Sequence, residues 1–205
     1  MDPTRPRPSG APMTASLGSL VPVPASEHPE LLPEAVLAAA ERDGVLGDLG
    51  VVDIDPALSD TAATKEHYGL DDADLANCVV VAGSRGGEER IAACVVLADS
   101  RADVNGAVRR LLDVRKASFL PMDRAVAESG MEYGGITPIG LPAGWRLLVD
   151  ARVLLRPLVV IGSAVRRSKI VLPGSALERL SGVEIVEGLG LPTSIQGEAT
   201  VPLHS

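Results

Sequence analysis

Aromatic side chains are nearly absent: Tyr68, Phe119, Tyr133 and Trp145 are the whole complement of a 205-residue chain. A hydrophobic content of 46% therefore packs through Val, Leu, Ile and Ala, and it suffices for one buried core with tails but not comfortably for two. Two cysteines, Cys78 and Cys94, are too few for a disulfide framework. The three histidines, His28, His67 and His204, stand far apart, which leaves neither a zinc ligand set nor a Ser/His/Asp triad. No glycine-rich segment has the strand-loop-helix spacing of a P-loop, a dinucleotide fingerprint or a nucleophile elbow. No apolar run reaches the length of a membrane span. Basic residues are also short, 19 Lys and Arg against 27 Asp and Glu for a net charge of -8. That balance opposes extended binding along nucleic acid and leaves room only for a local patch that holds one RNA end.

Residues 1–28 carry Pro3, Pro6, Pro8, Pro12, Pro22 and Pro24 among small residues and read as a disordered leader without signal-peptide character. The domain is expected over 29–188, with a loose tail over 189–205. Helical spacing of Leu31, Leu32, Val36, Leu37 and Ala40 predicts a helix over 29–43, ended by Gly44. A strand is expected over 51–54 and a helix over 61–68, stopped by Gly69. Apolar runs at 77–82 and 90–98 around Gly83, Ser84, Arg85, Gly86 and Gly87 predict a hairpin. Helices follow at 103–113, 121–129 and 174–180, with strands at 146–149, 158–161, 169–172 and 183–186. This irregular mixture predicts a mixed α/β, α+β-like fold, not a regular βαβ alternation.

Between the helix ending at Gly130 and the next strand lies Gly130-Met-Glu-Tyr-Gly-Gly-Ile-Thr-Pro-Ile-Gly140. This segment resembles the Gly-x-x-x-Gly-Gly-Val-Ser-Pro loop of the YbaK/ProX family, free-standing relatives of the prolyl-tRNA synthetase editing insertion. The order of other landmarks is similar too: Leu75-Ala-Asn-Cys-Val79, Arg115-Lys-Ala-Ser118, Val149-Asp150 and Arg166-Arg-Ser-Lys-Ile170. The resemblance runs from about Leu31 to Glu187. It implies a mixed β-sheet or partly closed barrel surrounded by helices. It also implies hydrolysis of the ester joining a mischarged amino acid to the terminal adenosine of a tRNA, without metal or organic cofactor. A hydroxyl of that adenosine would take part. The implied partner is the aminoacyl-tRNA acceptor end, with no DNA and no membrane, in a cytoplasmic setting; the oligomeric state is left open.

By the same resemblance, Gly134, Gly135, Ile136, Thr137 and Pro138 border the amino-acid pocket, where backbone N–H groups of a rigid loop can stabilise an oxyanion. Ser163, Ala164 and Arg166 are expected to join them. The family places a lysine where this chain has Asn77, and a glycine where it has Ala164. Asn77 offers only neutral hydrogen bonds, so Arg85, Arg115, Lys116, Arg166 or Lys169 would have to supply the cation. If none does, the alternative is a non-catalytic protein that recognises an aminoacyl, nucleotide or protein ligand. Cys78 and Cys94 are expected nearly opposite each other, as core residues before a redox pair. Asp150 suits pocket orientation or a cap equally.

Overall fold

The computed structural model describes residues 17–193. In chain order they form β1 (Val23–Pro24), α1 (Glu34–Arg42), β2 (Gly50–Asp53), α2 (Thr61–Tyr68), β3 (Ala76–Arg85), β4 (Glu88–Leu97), β5 (Ser100–Ala102), α3 (Arg109–Leu111), β6 (Ala117–Phe119) and α4 (Met122–Ser129). Then come β7 (Arg146–Asp150), α5 (Ala151–Leu154), β8 (Val159–Gly162), β9 (Ser168–Leu172), β10 (Val183–Val186) and β11 (Gly190–Pro192). One sheet has the order β10-β7-β4-β3-β6 and a second β1-β2-β9-β8, while β11 pairs with β5. β7 runs parallel to both β4 and β10, and the β3/β4 hairpin is antiparallel. The fold is mixed α+β, and the described residues close no barrel.

Local chemistry explains the boundaries. Pro33 precedes α1, so the helix begins at Glu34 after a short 3-10 turn over Pro29–Leu31, later than apolar spacing alone implied. Gly69 and Gly130 end α2 and α4 in the left-handed conformation, as C-terminal glycines do. β3 and β4 extend through Gly83, Ser84 and Arg85 to a two-residue turn at Gly86 and Gly87, both at positive φ, the backbone that tight hairpins require. The helix expected over 103–113 is a wide π-type turn, Val104–Val108, continuing into α3. Asp103 caps it by accepting from the Gly106 and Ala107 N–H groups at 2.9 and 2.8 Å. The 174–180 helix is a 3-10 helix, Gly174–Arg179.

The packed unit is longer than 29–188. Leu20, Ala25 and Leu189 are buried, β1 pairs with β2, and β11 pairs with β5. Parts of the segments read as leader and tail thus contribute core and strand; residues 1–16 and 194–205, with His204, lie outside the described residues. Cys78 faces Val95 and Cys94 faces Val79, so the cysteines are one step out of register and point to opposite faces of the hairpin. Each packs in a different cluster. Burial pushes both thiols up, Cys94 to about 12, which makes them core residues and not a redox pair. No helix among the described residues is long and apolar enough to cross a membrane.

Asp150, almost fully buried, is a cap. One carboxylate oxygen accepts from the Arg152 N–H at 2.8 Å and the other from the Gly190 N–H, so a single side chain ties the start of α5 to β11. Asp150→Ala is expected to destabilise the protein by about 1–3 kcal/mol, seen as a lower denaturant midpoint at an unchanged m-value.

Candidate functional site

The Gly/Pro loop leaves α4 at Gly130 and folds back onto the turn between β8 and β9. The Glu132 N–H donates to the Ala164 carbonyl at 2.8 Å, and the Ala164 N–H donates to the Gly135 carbonyl at 2.7 Å. Gly162 lies directly beneath: a Cβ there would meet the Gly135 and Ile136 carbonyl oxygens at 2.4 Å. The loop can sit this close only because residue 162 has no side chain. Gly134 takes φ +77, and a Cβ on it would crowd the Arg166 guanidinium at 2.8 Å and the Asp60 carboxylate at 3.2 Å.

Seated this way, the loop walls a cavity of about 360 Å³ against the first hairpin strand. Asn77, Cys78, Val79 and Val80 of β3 form one side, Val160, Ile161 and Gly162 of β8 the floor, and Tyr133, Gly134 and Ile136 the loop side. Asp60, Thr61, Phe119 and Met122 complete its rim. The Thr61 hydroxyl donates to the Asn77 side-chain oxygen at 2.6 Å, which fixes the amide and leaves its NH₂ to serve a guest. The N–H groups of Gly135 and Thr137 are spent on the Glu132 carbonyl at 2.9 Å and the Met131 sulfur at 3.4 Å. Those of Gly134 and Ile136 donate to no group among the described residues.

Of the nine residues singled out from the sequence, Asn77, Gly134 and Ile136 line this cavity. Gly135 lies behind them against Val165. Thr137 is wholly buried, and Pro138 borders a different hollow beside Trp145. The Ser163 hydroxyl, also fully buried, bonds the Val165 and Ser168 carbonyls at 3.0 and 2.8 Å, so it holds the β8/β9 turn. Ala164 sits at φ +71; a methyl group there strains the backbone instead of narrowing the cavity, which is the physical sense of a glycine at this place. Arg166 donates to the Tyr133 carbonyl at 3.0 Å and the Pro56 carbonyl at 2.8 Å. It straps the loop to the segment before α2 and does not line the cavity.

The cavity's cation is Lys169, on the all-buried strand β9, which pairs with β8 through Gly162. Its ammonium donates to the Ser59 carbonyl at 2.6 Å. Burial draws its pKa down from 10.5 to about 8, Asp60 opposing and Arg166 reinforcing the shift. The other candidate cations stand elsewhere: Arg85 pairs with Asp113 beyond the hairpin end, Lys116 borders a separate groove, and Arg115 is exposed. Only three lysines occur in the chain, Lys65, Lys116 and Lys169. Its place directly before the apolar run Ile170, Val171 and Leu172 is the one sequence signal that could set Lys169 apart from a solvated edge.

A family model for the aminoacyl-tRNA editing domain matches residues 55–180. Among solved structures, the chain is similar to a hypothetical protein (18% identity, TM-score 0.67, covering 77% of this chain and 100% of that one). It is similar as well to a protein described as a candidate trans-editing enzyme for prolyl tRNA synthetase (19% identity, TM-score 0.63, 76% and 97% covered). A scaffold used in computational epitope grafting also matches (22% identity, TM-score 0.61, 75% and 94% covered). At such identities the structural likeness speaks for the fold. No curated protein matches significantly by sequence.

Gly162→Ala is expected to cost about 1–3 kcal/mol through overpacking and to lift the loop off β8, visible as lost chemical-shift dispersion at Gly134 and Ile136. Gly47→Ala, where a Cβ meets nothing within 4 Å, should leave stability within about 0.5 kcal/mol.

Proposed function

Because the chain belongs to the aminoacyl-tRNA editing domain family, we propose that it is a trans-acting deacylase that hydrolyses the ester of a mischarged aminoacyl-tRNA. The observation that carries the reading is one cavity lined by Asn77, Gly134, Ile136 and Lys169, with the Gly134 and Ile136 N–H groups unspent among the described residues and the Lys169 ammonium held on the Ser59 carbonyl. Water adds through oxygen to the ester carbonyl carbon and the bond to the ribose oxygen breaks. The ribose oxygen leaves with one proton of the water, the free amino acid departs as a carboxylate, and the second proton passes to solvent. Negative charge gathers on the carbonyl oxygen between these steps, and unspent main-chain donors stabilise it without reorganisation. As the family resemblance implies, a hydroxyl of the terminal adenosine handles the proton, so no side-chain base is required. The setting is cytoplasmic, where charged tRNA is found.

Lys169 answers the departure at Asn77 that motivated a binding-only alternative. Its ammonium sits in a low-dielectric pocket, where a single charge acts on a developing oxyanion or a nearby phosphate far more strongly than in water. The cavity wall is otherwise mostly apolar, with Val79, Val80, Ile136, Val160 and Ile161, which suits a small aliphatic amino acid.

A deacylation screen across mischarged tRNAs tests the function: turnover of at least one is expected, and no hydrolysis over a full panel would reject it. Lys169→Met should lower kcat/KM by about 100-fold, in the range of a lost oxyanion donor, whereas Asn77→Ala should cost about tenfold or less.

The pH profile tests Lys169 separately. Its folded pKa lies near 8, below the 10.5 of the free side chain, so between these values the unfolded state binds more protons and the contribution of Lys169 to stability rises with pH. Catalysis that needs the ammonium moves the other way. After subtraction of spontaneous hydrolysis, activity should fall as pH passes about 8 while stability does not, and a profile flat to pH 10 would remove Lys169 from the mechanism.

A further inference from the structure

Three of the largest apolar side chains left in solvent surround the mouth of this one cavity. Phe119, Met122 and Tyr133 are 57%, 52% and 51% exposed, and they come from β6, α4 and the loop, elements that have no folding reason to gather apolar surface at one place. Two of them are half of all the aromatic residues in the chain. The other two, Tyr68 and Trp145, are packed against core clusters. Tyr133 is held in place as well as exposed: the Arg166 guanidinium lies 5.9 Å from its ring centre and is itself anchored on the Tyr133 and Pro56 carbonyls.

Phe119 ends the edge strand of the five-stranded sheet. It borders both the cavity and a shallow groove that continues past Ser118 and Lys116. Within that groove Arg124 is neutralised by Glu89 and Glu128 at 2.8 and 2.6 Å. Arg115 and Lys116 are exposed, and neither makes an ion pair among the described residues. In a chain of net charge -8, Lys116, which shares the groove with the exposed Phe119 ring, and its exposed neighbour Arg115 form a local site for an anionic, base-bearing ligand. Lys116 directly precedes β6, and three residues of extended chain put it about 10 Å from Phe119, the rise of roughly three stacked nucleotides.

We propose that Phe119 and Tyr133 are stacking platforms for the terminal adenine of the tRNA, and that Arg115 and Lys116, on the segment leading into β6, hold the phosphates of the preceding nucleotides. The proposal rests on the reading of the cavity as the ester site. The adenosine is joined directly to the ester, so when the ester lies between Gly134 and Lys169 its base must occupy the mouth. Stacking on aromatic faces is tolerant of sequence and strong enough to orient a single strand. The strip is short, which reconciles RNA-end binding with an acidic protein.

The test uses uncharged RNA hairpins, which contain no ester, with the full chain. One hairpin ends in single-stranded ACCA and the other lacks only the terminal adenosine; affinities are measured by fluorescence anisotropy over a salt series. The wild type should bind the complete end at least about fivefold tighter. Phe119→Ala and Tyr133→Ala should each remove most of that preference, with thermal midpoints unchanged. The Arg115→Ala, Lys116→Ala double variant should weaken both hairpins alike and reduce the salt slope by about 1.4, two single-strand contacts at 0.7 each. A preference that survives both aromatic substitutions, an unaltered salt slope, or no binding of either hairpin overturns the proposal. The two readings fail separately: a wild type that deacylates while its variants bind normally sinks the strip alone. A wild type that hydrolyses nothing, yet loses hairpin binding on substitution, sinks the hydrolytic reading alone.

Discussion

The site depends on a contact that requires the absence of an atom. Gly162 has no Cβ, so the Gly135 and Ile136 carbonyls rest on its backbone at a distance a methyl group would forbid, and the Ala164 main chain then holds the loop by two hydrogen bonds. Everything that faces the cavity from the loop side inherits its position from that seat. Ser163 braces the turn beneath through buried bonds to Val165 and Ser168, and Arg166 pins the outer edge to Pro56 and Tyr133. Residues that look like binding residues by proximity in sequence are therefore largely supports, and what the loop itself brings to the cavity is main chain with the Tyr133 and Ile136 side chains. That division suits an editing site, where preorganised dipoles do work that a mobile side chain would do less well.

What could be read beforehand follows from the length of each signal. The β3/β4 hairpin, α2, α4 and β10 were legible because apolar periodicity, or a glycine in the right place, repeats over enough residues to be distinctive. β1, β5, β6 and β11 are two or three residues long, and a strand of that length is defined by its partner, not by its own sequence. The loop could be located from Gly134, Gly135 and Pro138, yet its facing could not. Gly134 and Ile136 line the cavity, while Gly135, Thr137 and Pro138 turn away, a difference decided by backbone contacts with a segment about thirty residues downstream. The cysteines show the same limit, since one step of register moves a side chain through the sheet to the other face.

Charge is distributed economically in this molecule. Most arginines of the described residues are matched by acids: Arg146 with Glu184, Arg152 with Asp99, Arg179 with Asp48. Such pairs fix element ends and add little in net stability when exposed. Lys169 differs in being buried with a carbonyl for a partner and no carboxylate bonded to it. An ammonium in that position costs stability, as the downward displacement of its pKa shows. An apolar residue would fill the same interior place on β9 without that cost, and folding alone gives no reason to keep the charge.

A reason exists at the level of the cavity. Leu75, just before β3, is bridged to Val160 of β8, and β9 lies next to β8, so residues 77 and 169 border one cavity from neighbouring walls. A guest responds to the field inside that volume and not to the strand a charge is attached to. Asn77 without a lysine, read along β3 by itself, looks like a lost function; read across the cavity, the same volume still has a cation on its wall, carried by β9. The amide that remains at 77 is not idle, because Thr61 fixes its oxygen and so directs the NH₂ as a donor. In the proposed reading, a neutral donor on one wall and an ammonium on the other would divide between two strands the task that the family resemblance assigns to one lysine.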